Sequence, residues 1–424
     1  MNKYNLLNVS CLLVILNFYQ SAFSQKISEW RGPGRSGVYN ETGLLKQWPA
    51  DGPALLWEAN QLGKGHSSPV IHDGFVYITG LKEKTEYLSK LSPNGKLIWS
   101  VAYGRGWEGS FPDSRCAPTL EGDRAYVTSG TGDVACINTS DGSIVWKSNL
   151  FEKYQGQWGS WGISESLLLV DNKIIFTCGG PVTTTVAVDK LTGETIWQTP
   201  SINDTVAYTS PVAVEFGEKK IIVNVLEYNL IGIDASNGKI LWTYNYLETD
   251  SKACKAVGEW APKINTNTPL FREGQIYITS GYNHVGAMFQ IAPDGNSVSL
   301  VWTDHTLDVH HGGVIQIDGY IYGANWINNS MGNWCCIRWK DGKTMWEQEW
   351  NCKGSIIAAD GMMYLYDEKK GNLGLAKVNP EKFELVSSFR ITKGSGPYWS
   401  HPVINNGILY VRHGEVLMAF NIKQ

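Results

Sequence analysis

The sequence offers little to support a membrane-spanning, nucleic-acid-binding or zinc protein. Charged residues make up 18% of the 424 residues and the formal net charge is −4, so no basic excess would attract nucleic acid. The cysteines and histidines are not spaced as zinc ligands are. One apolar run stands out, at residues 6–18, and it is too short for a permanent membrane anchor. These absences leave a soluble protein as the expectation.

The first 24 residues have the features of a secretory signal peptide. Lys3 precedes the apolar run, and the small residues Ala22 and Ser24 suit cleavage after Ser24. Cys11 could mark a lipoprotein, but the Asn-Val-Ser in front of it is a poor lipoprotein signal. We therefore expect a periplasmic or otherwise exported protein.

Seven cysteines remain after that cleavage, an odd number that cannot pair completely within the chain. Cys136 and Cys336 stand at matching positions before a turn glycine, where other repeats have Ser, Ala or Gly, so we predict that both are small core residues. Adjacent side chains of a regular strand point to opposite faces, which disfavours a disulfide between Cys335 and Cys336. The mature cysteines are Cys116, Cys136, Cys178, Cys254, Cys335, Cys336 and Cys352.

A turn of the form Asn/Asp/Thr-Gly followed by a Trp recurs along the chain. Successive tryptophans of this pattern are 42 to 60 residues apart, which indicates a repeat architecture. Within residues 67–101, Asp73-Gly74 and Asn94-Gly95 each separate two apolar runs, as in β-hairpins. Four antiparallel strands per repeat predict the blade of a β-propeller. The clearest copies of the turn are at residues 94–99, 141–146, 192–197, 237–242 and 341–346.

The two ends of the chain are predicted to share one blade. Residues 400–420 supply three strands without a Trp turn, and residues 53–59, which contain Trp57, supply the missing outer strand. With the degenerate Phe389 replacing one Trp, the count predicts an all-β, eight-bladed propeller of four-stranded antiparallel blades, closed by an N-terminal strand. The predicted division is a signal peptide at 1–24, an N-terminal extension at 25–52 and the propeller at 53–424.

One face of this propeller is predicted to carry the function. Turns such as Asp318-Gly319 are tight and form a plain face, whereas the connections between blades are longer and richer in Trp, and loops on a rigid scaffold commonly bind ligands. Polar groups at the starts of the innermost strands should ring the channel mouth there. If the histidines keep an ordinary pKa near 6.5, binding should respond to mildly acidic pH. The residues predicted to bind are His66, Arg115, Trp161, Glu165, Asn267, His310, His311, Lys353, Trp399 and His401.

Several segments resemble the pyrroloquinoline-quinone-like (PQQ-like) repeat propellers of bacteria. They are WGISESLLLVDNKIIFTCGG at 161–180, HHGGVIQIDGYIYG at 310–323 and the repeated VDKLTGETIW pattern. The resemblance covers the chain from Trp30 to its end and implies an eight-bladed fold. It does not settle the function, because the family includes both quinoprotein alcohol dehydrogenases and cofactor-free scaffolds such as the propeller lipoprotein of the outer-membrane β-barrel assembly machinery.

The dehydrogenase alternative makes specific demands on the residues. The resemblance implies calcium held by Glu165, Asn267 and Asp308, with Asp308 as the catalytic base, against a pyrroloquinoline quinone cofactor. Lys353 or Arg115 would then supply the cation, and Trp260 or Trp161 the aromatic floor. Against it, Asp308 lacks the sequence pattern of the dehydrogenases, and the paired cysteines stand in the wrong blade.

We therefore interpret the protein as an exported scaffold that binds a ligand or partner through its loop-rich face, without a cofactor. The partner is a small molecule, a glycan or an envelope protein. The alternatives are a PQQ- and calcium-dependent alcohol or sugar dehydrogenase and a glycan-binding propeller, and they draw on the same residues.

Overall fold

The computed structural model describes residues 26–249 and 264–424, and within them it forms eight antiparallel sheets arranged as the blades of a propeller. The predicted fold class is confirmed. The predicted signal peptide, Cys254 and Trp260 lie outside the described residues. Within the described ranges, no helix is long and apolar enough to cross a bilayer.

Each blade runs outward from the channel in four consecutive strands. In blade 1 these are Val70–His72, Phe75–Lys82, Thr85–Leu91 and Leu97–Arg105; in blade 2, Thr119–Glu121, Arg124–Thr128, Asp133–Asn138 and Ile144–Asn149; in blade 3, Leu168–Val170, Lys173–Thr177, Thr185–Asp189 and Thr195–Gln198; in blade 4, Val212–Phe216, Lys219–Val225, Asn229–Asp234 and Ile240–Asn245.

Blades 5 to 7 follow the same order, and blade 8 takes its outermost strand from the other end of the chain. In blade 5 the strands are Leu270–Arg272, Gln275–Ile278, Gly286–Ile291 and Val298–Asp304; in blade 6, Val314–Ile317, Tyr320–Ala324, Trp334–Arg338 and Thr344–Gln348; in blade 7, Gly354–Ala359, Met362–Asp367, Asn372–Lys377 and Leu385–Arg390; in blade 8, Val403–Asn405, Ile408–His413, Val416–Asn421 and Ala54–Ala59. Short helical turns are at Pro33–Arg35, Leu150–Lys153 and Tyr246–Thr249.

The two kinds of turn in a blade differ in backbone conformation. In the inner turn both residues have positive φ, 49° at Asp73 and 79° at Gly74, as a two-residue hairpin requires. In the outer turn Gly95 has a φ of 79°, whereas Asn94 is not left-handed. A register shift follows in the adjoining strands, so the outer turn is a longer loop with a bulge. In blade 1, left-handed backbone therefore occurs at both residues of the inner turn and only at the glycine of the outer turn.

The outer-strand tryptophans pack across the blade boundaries. A Cβ placed on Gly95 of blade 1 would lie 2.4 Å from the ring of Trp57 in blade 8, and one on Gly238 of blade 4 would lie 2.6 Å from Trp197 in blade 3. The indole N–H of Trp197 also donates to the carbonyl of Ala235 at 3.2 Å. Only glycine leaves room for this contact, which explains why Gly and Trp recur together.

The N-terminal strand closes the ring. Ala54–Ala59 pairs antiparallel with Val416–Asn421, with Trp57 opposite Ala419. The indole N–H of Trp57 donates to the carbonyl of Pro93 in blade 1 at 2.9 Å. Gly52, with a φ of 84°, lies under Phe389 of blade 7 and takes the place of the outer-turn glycine that blade 8 otherwise lacks. The N-terminus therefore supplies both a strand and its turn.

Residues 27–39 lie inside the channel, and we call this segment the plug. Ile27–Ser28 pairs with the inner strand of blade 2, and Val38–Tyr39 pairs in parallel with the inner strand of blade 7. Between these pairings the guanidinium of Arg35 donates to the carbonyls of Ser166 and Leu167, at 2.8 and 2.7 Å. The plug thus separates the loop-rich end of the channel from its tight-turn end.

The six described cysteines are buried free thiols. Cys136 and Cys336 lie opposite Trp146 and Trp346 in equivalent strand pairs, and neither is exposed. Cys335 packs in the core between blades 5 and 6, whereas Cys336 packs between blades 6 and 7. The two neighbours therefore face opposite sides of their sheet, as the strand period predicts.

Candidate functional site

A cavity of about 220 Å³ opens on the loop-rich face above the plug, and we call it the aromatic cavity. It is formed where the connections between blades reach the starts of the innermost strands. Every blade except blade 6 contributes lining residues through the connection that follows it. The residues predicted from the sequence that line it are His66, Arg115, Trp161, His310, His311, Trp399 and His401.

The walls consist of rings in edge or tilted contact. Trp399 is central, with ring centroids 4.9 Å from His66, 4.9 Å from His311 and 5.0 Å from Phe111. The rings of His310 and His311 are 4.3 Å apart. These contacts join four connections that are distant in sequence, so the cavity forms only when the ring is closed and belongs to no single blade.

Burial sets the charge of the cavity histidines. Desolvation lowers the pKa of His66 and of His310 well below 6.5, and it lowers that of His311 to about 3. Nearby cations act in the same direction. The expectation of binding that titrates near pH 6.5 is therefore not supported, because these imidazoles are neutral across the physiological range.

Two of these histidines lie beside a carboxylate that is not part of the cavity lining. The Nε2 atom of His66 lies 3.4 Å from Asp113 Oδ2, and that of His311 lies 3.4 Å from Glu368 Oε2. Neither contact has hydrogen-bond geometry, and both Nε2 atoms lack any other hydrogen-bond partner among the described residues. The carboxylates orient the imidazoles only loosely.

Arg115 is the cation of the cavity wall. Its guanidinium donates to the carbonyls of Trp161 and Phe111, and its Nε donates to the carbonyl of Asp113 at 3.4 Å. Burial lowers its pKa below the usual range of an arginine, yet the group stays charged near neutral pH. Arg115 therefore ties two aromatic loop residues together and places a positive charge beside them.

His401 is held by the plug. Arg31 Nη1 lies 3.0 Å from His401 Nδ1, and a guanidinium can only donate, so Nδ1 accepts and the imidazole is neutral. Trp30 packs edge-on against the same ring at 5.4 Å and forms the cavity floor. Nothing in the sequence of residues 25–52 predicts this role, because the segment lacks the blade pattern.

Glu165 and Asn267 lie behind the cavity wall. Ser164 and Ser166 face the cavity, and the alternation of the strand turns Glu165 away, where its carboxylate accepts from the N–H of Thr177 at 3.2 Å. Burial raises its pKa to about 7. Asn267 Nδ2 donates to Val309 O at 2.6 Å and its Oδ1 accepts from the N–H of Gly313, so it clamps two connections together.

Lys353 and Asp308 also lie outside the cavity. The ammonium of Lys353 is 2.7 Å from Glu368 and donates to the carbonyl of Asn328 at 2.9 Å, a buried pair that uses the charge locally. Asp308 accepts from the N–H groups of Asn283 and Trp326, both at 3.1 Å, and burial raises its pKa to about 8.

The residues implied for calcium and quinone do not form a common site. The oxygens of Glu165, Asn267 and Asp308 each accept from backbone N–H groups of different segments, and none of the three lines the aromatic cavity. No cluster of three or more His, Cys, Asp or Glu suited to a metal ion occurs within the described ranges. The geometry of these residues does not fit the calcium-bound cofactor that the dehydrogenase alternative requires.

Two tyrosines of the wall were not among the predicted binding residues. The ring centroid of Tyr208 lies 5.6 Å from that of Trp161. Tyr208 stands at the start of an innermost strand, so the criterion that selected His66 also applies to it. Tyr282 lies 4.9 Å from His310, in the connection between the second and third strands of blade 5. The repeat pattern carries no signal for that position.

Comparison with known proteins places the fold and the family. A relative from Yersinia pestis, described as outer membrane protein assembly factor BamB, is 21% identical over 75% of this chain and 76% of its own. The structure of BamB from Moraxella catarrhalis covers 87% of this chain and 99% of its own, with a TM-score of 0.62 and 13% identity. The quinohemoprotein alcohol dehydrogenase of Comamonas testosteroni covers 92% and 79%, also with a TM-score of 0.62 and 13% identity.

These structural likenesses show the fold and leave the chemistry open, since both a BamB and a dehydrogenase share it. The family model is more specific. The model described as outer membrane protein assembly factor BamB matches residues 84–348, which is more than half of the chain. The chain therefore belongs to the BamB family of PQQ-like repeat propellers.

Proposed function

We propose that the protein is an exported scaffold that receives an envelope protein on its loop-rich face. The family carries the name of an outer-membrane protein assembly factor, and the N-terminal sequence has the pattern of a signal peptide. The proposal places the protein in the periplasm. It needs no chemistry from the propeller, only a rigid surface of the right shape.

The observation that carries the proposal is an apolar rim around the mouth of the aromatic cavity. Phe111 and Met331 are each 51% exposed, and Ile327 is 45% exposed. All three lie in connections on the loop-rich face. Large apolar side chains that protrude from loops beside a cavity are typical of protein interaction sites.

The rim is also well supported from below. Phe111 packs on Trp399, and its carbonyl accepts from Arg115, so its position is determined by the cavity wall. Asn328 and Met331 form two backbone hydrogen bonds that close the tip of the other loop. A rigid anchor loses little conformational entropy on binding, which favours affinity.

Site-specific photocrosslinking tests the proposal. A photoreactive amino acid is placed at Phe111 or Met331, and a control is placed at Asp318, an exposed inner-turn residue on the tight-turn face. In bacteria that produce the protein, we expect both loop positions to crosslink to the same envelope protein and the control position to remain free of it.

Binding of the purified partner supplies the second measurement. Replacing Phe111 and Met331 by serine should weaken binding by about 1–2 kcal/mol for each anchor, roughly tenfold, while Asp318→Ser should have no effect. A partner that crosslinks from Asp318, or that binds the Phe111→Ser/Met331→Ser variant as tightly as the wild type, would contradict the proposal.

A further inference from the structure

The histidines of the aromatic cavity have hydrogen-bonding atoms that no other described residue uses. Both ring nitrogens of His66, Nδ1 of His310 and Nε2 of His311 are buried without a hydrogen-bond partner. The three rings come from two different connections and face the same cavity. A buried polar atom without a partner destabilises a fold, so three such rings at one place point to a ligand that completes them.

The environment of these rings is electropositive. Arg115 lies in the wall and Arg31 lies directly beneath His401. Arg115 and Arg412 both disfavour protonation of His66, and Lys353 and Lys369 do the same for His311. Cations from several elements therefore act on one small space.

The wall offers no opposing charge to a bound cation. Among the residues that the structure describes, no carboxylate lines the cavity. Asp113 and Glu368 lie next to His66 and His311 but outside the lining, and Glu368 is already neutralised by Lys353 at 2.7 Å. A cationic ligand would be repelled by Arg115, with no carboxylate in the lining to offset the repulsion. An anion would be attracted by Arg115 and would accept hydrogen bonds from neutral imidazole N–H groups.

The remaining surface is suited to a flat ring. Trp161, Tyr208 and Tyr282 belong to one hydrophobic cluster in the wall, with the Trp161 and Tyr208 centroids 5.6 Å apart, and Trp399 lines the cavity from another connection. Aromatic side chains around a few convergent polar groups are the usual composition of a small-molecule site. The hydrogen-bonding atoms and the aromatic walls together define a ligand with a ring and an anionic group.

We propose that the aromatic cavity binds a small planar carboxylate, with its ring between the aromatic walls and its anionic group near Arg115 and the His310–His311 pair. This site lies below the apolar rim and shares Phe111 with it, and the proposed ligand binds the protein when no partner covers the rim.

Three small probes with the same benzene ring distinguish an anionic ligand from a neutral and a cationic one. Benzoate carries the carboxylate, benzamide is its neutral counterpart and benzylamine carries the opposite charge. By ligand-observed NMR with the full-length protein, we expect benzoate to bind at least tenfold more tightly than benzamide, and benzylamine not to bind. Stronger or equal binding of benzamide or benzylamine, or no binding of benzoate at millimolar concentration, would overturn the proposal.

Variants then locate the bound anion. Arg115→Gln and His311→Gln should each weaken benzoate at least fivefold and leave the weak binding of benzamide unchanged. His305→Gln is the matched control, because this exposed histidine does not line the cavity. Circular dichroism verifies the fold of each variant. Benzoate binding that survives both cavity substitutions, or that is lost in His305→Gln, would place the anion elsewhere.

Discussion

Ring closure by the N-terminal strand makes a quantitative prediction for Trp57→Ala. A fully buried Trp costs about 3–5 kcal/mol when truncated to Ala, and Trp57 is partly exposed, so about half of that applies. Its indole hydrogen bond to Pro93 adds about 1 kcal/mol. We therefore expect Trp57→Ala to lower the free energy of unfolding by about 2.5–3.5 kcal/mol.

Trp99→Ala is the matched control for this effect. Trp99 is also partly exposed and packs on Gly142 of the next blade, but its blade is continuous in sequence. The indole N–H of Trp99 has no hydrogen-bond partner among the described residues, so urea unfolding followed by far-UV circular dichroism should give a loss for Trp99→Ala that is about 1 kcal/mol smaller than that for Trp57→Ala. If Trp57→Ala lies within about 0.5 kcal/mol of the wild type while Trp99→Ala costs about 2 kcal/mol, the terminal strand does not hold the ring and the reasoning fails.

Three further predictions concern the plug, the buried acid and the cofactor. Arg35→Leu removes the guanidinium that binds two carbonyls and Glu29, so we expect a loss of about 3 kcal/mol and faster proteolysis within residues 27–39; an unchanged digestion pattern would count against a structural plug. Burial raises the pKa of Glu165 from 4.5 to about 7, so the folded state retains a proton that the unfolded chain releases, and stability falls as pH rises between those values. Glu165→Gln cannot ionise, so its stability relative to the wild type should increase by roughly 3 kcal/mol between about pH 4.5 and pH 8, and equal slopes of the two unfolding profiles would refute this. With added pyrroloquinoline quinone and calcium, we expect no dye-linked alcohol oxidation by the wild type; turnover that disappears in Asp308→Asn would contradict the binding-scaffold proposal.

The fold was predictable because the blade repeat is a local signal. Each Gly-Trp pair marks a turn and a Trp that packs against the turn glycine of the next blade. The pattern remains recognisable where Phe389 replaces the Trp. The plug was not predictable in the same way. It depends on left-handed backbone at Arg31 and Arg35, with φ of 62° and 57°, and on arginines that are buried only because the channel surrounds them.

The candidate site was predictable in position and less so in residue identity. The prediction that polar residues at the starts of the innermost strands ring the channel mouth placed His66 and His401 at the cavity. The same prediction selected Glu165, one residue out of phase with Ser164 and Ser166, because a one-residue shift moves a side chain to the other face of a strand. Strand phase at an irregular strand start depends on how the connection enters the blade, which the sequence alone does not specify.

Pairing of Ala54–Ala59 with Val416–Asn421 makes one joint depend on both ends of the chain. During synthesis the N-terminal strand emerges first and its partner almost last, so blade 8 stays open until the chain is nearly complete. The plug also completes its pairing late in synthesis, because it pairs with blade 2 and with blade 7. A product truncated before residue 416 therefore retains Ala54–Ala59 as an unpaired strand, which proteases can recognise, so ring closure distinguishes chains that reach the last strand of blade 8 from chains that stop short of it.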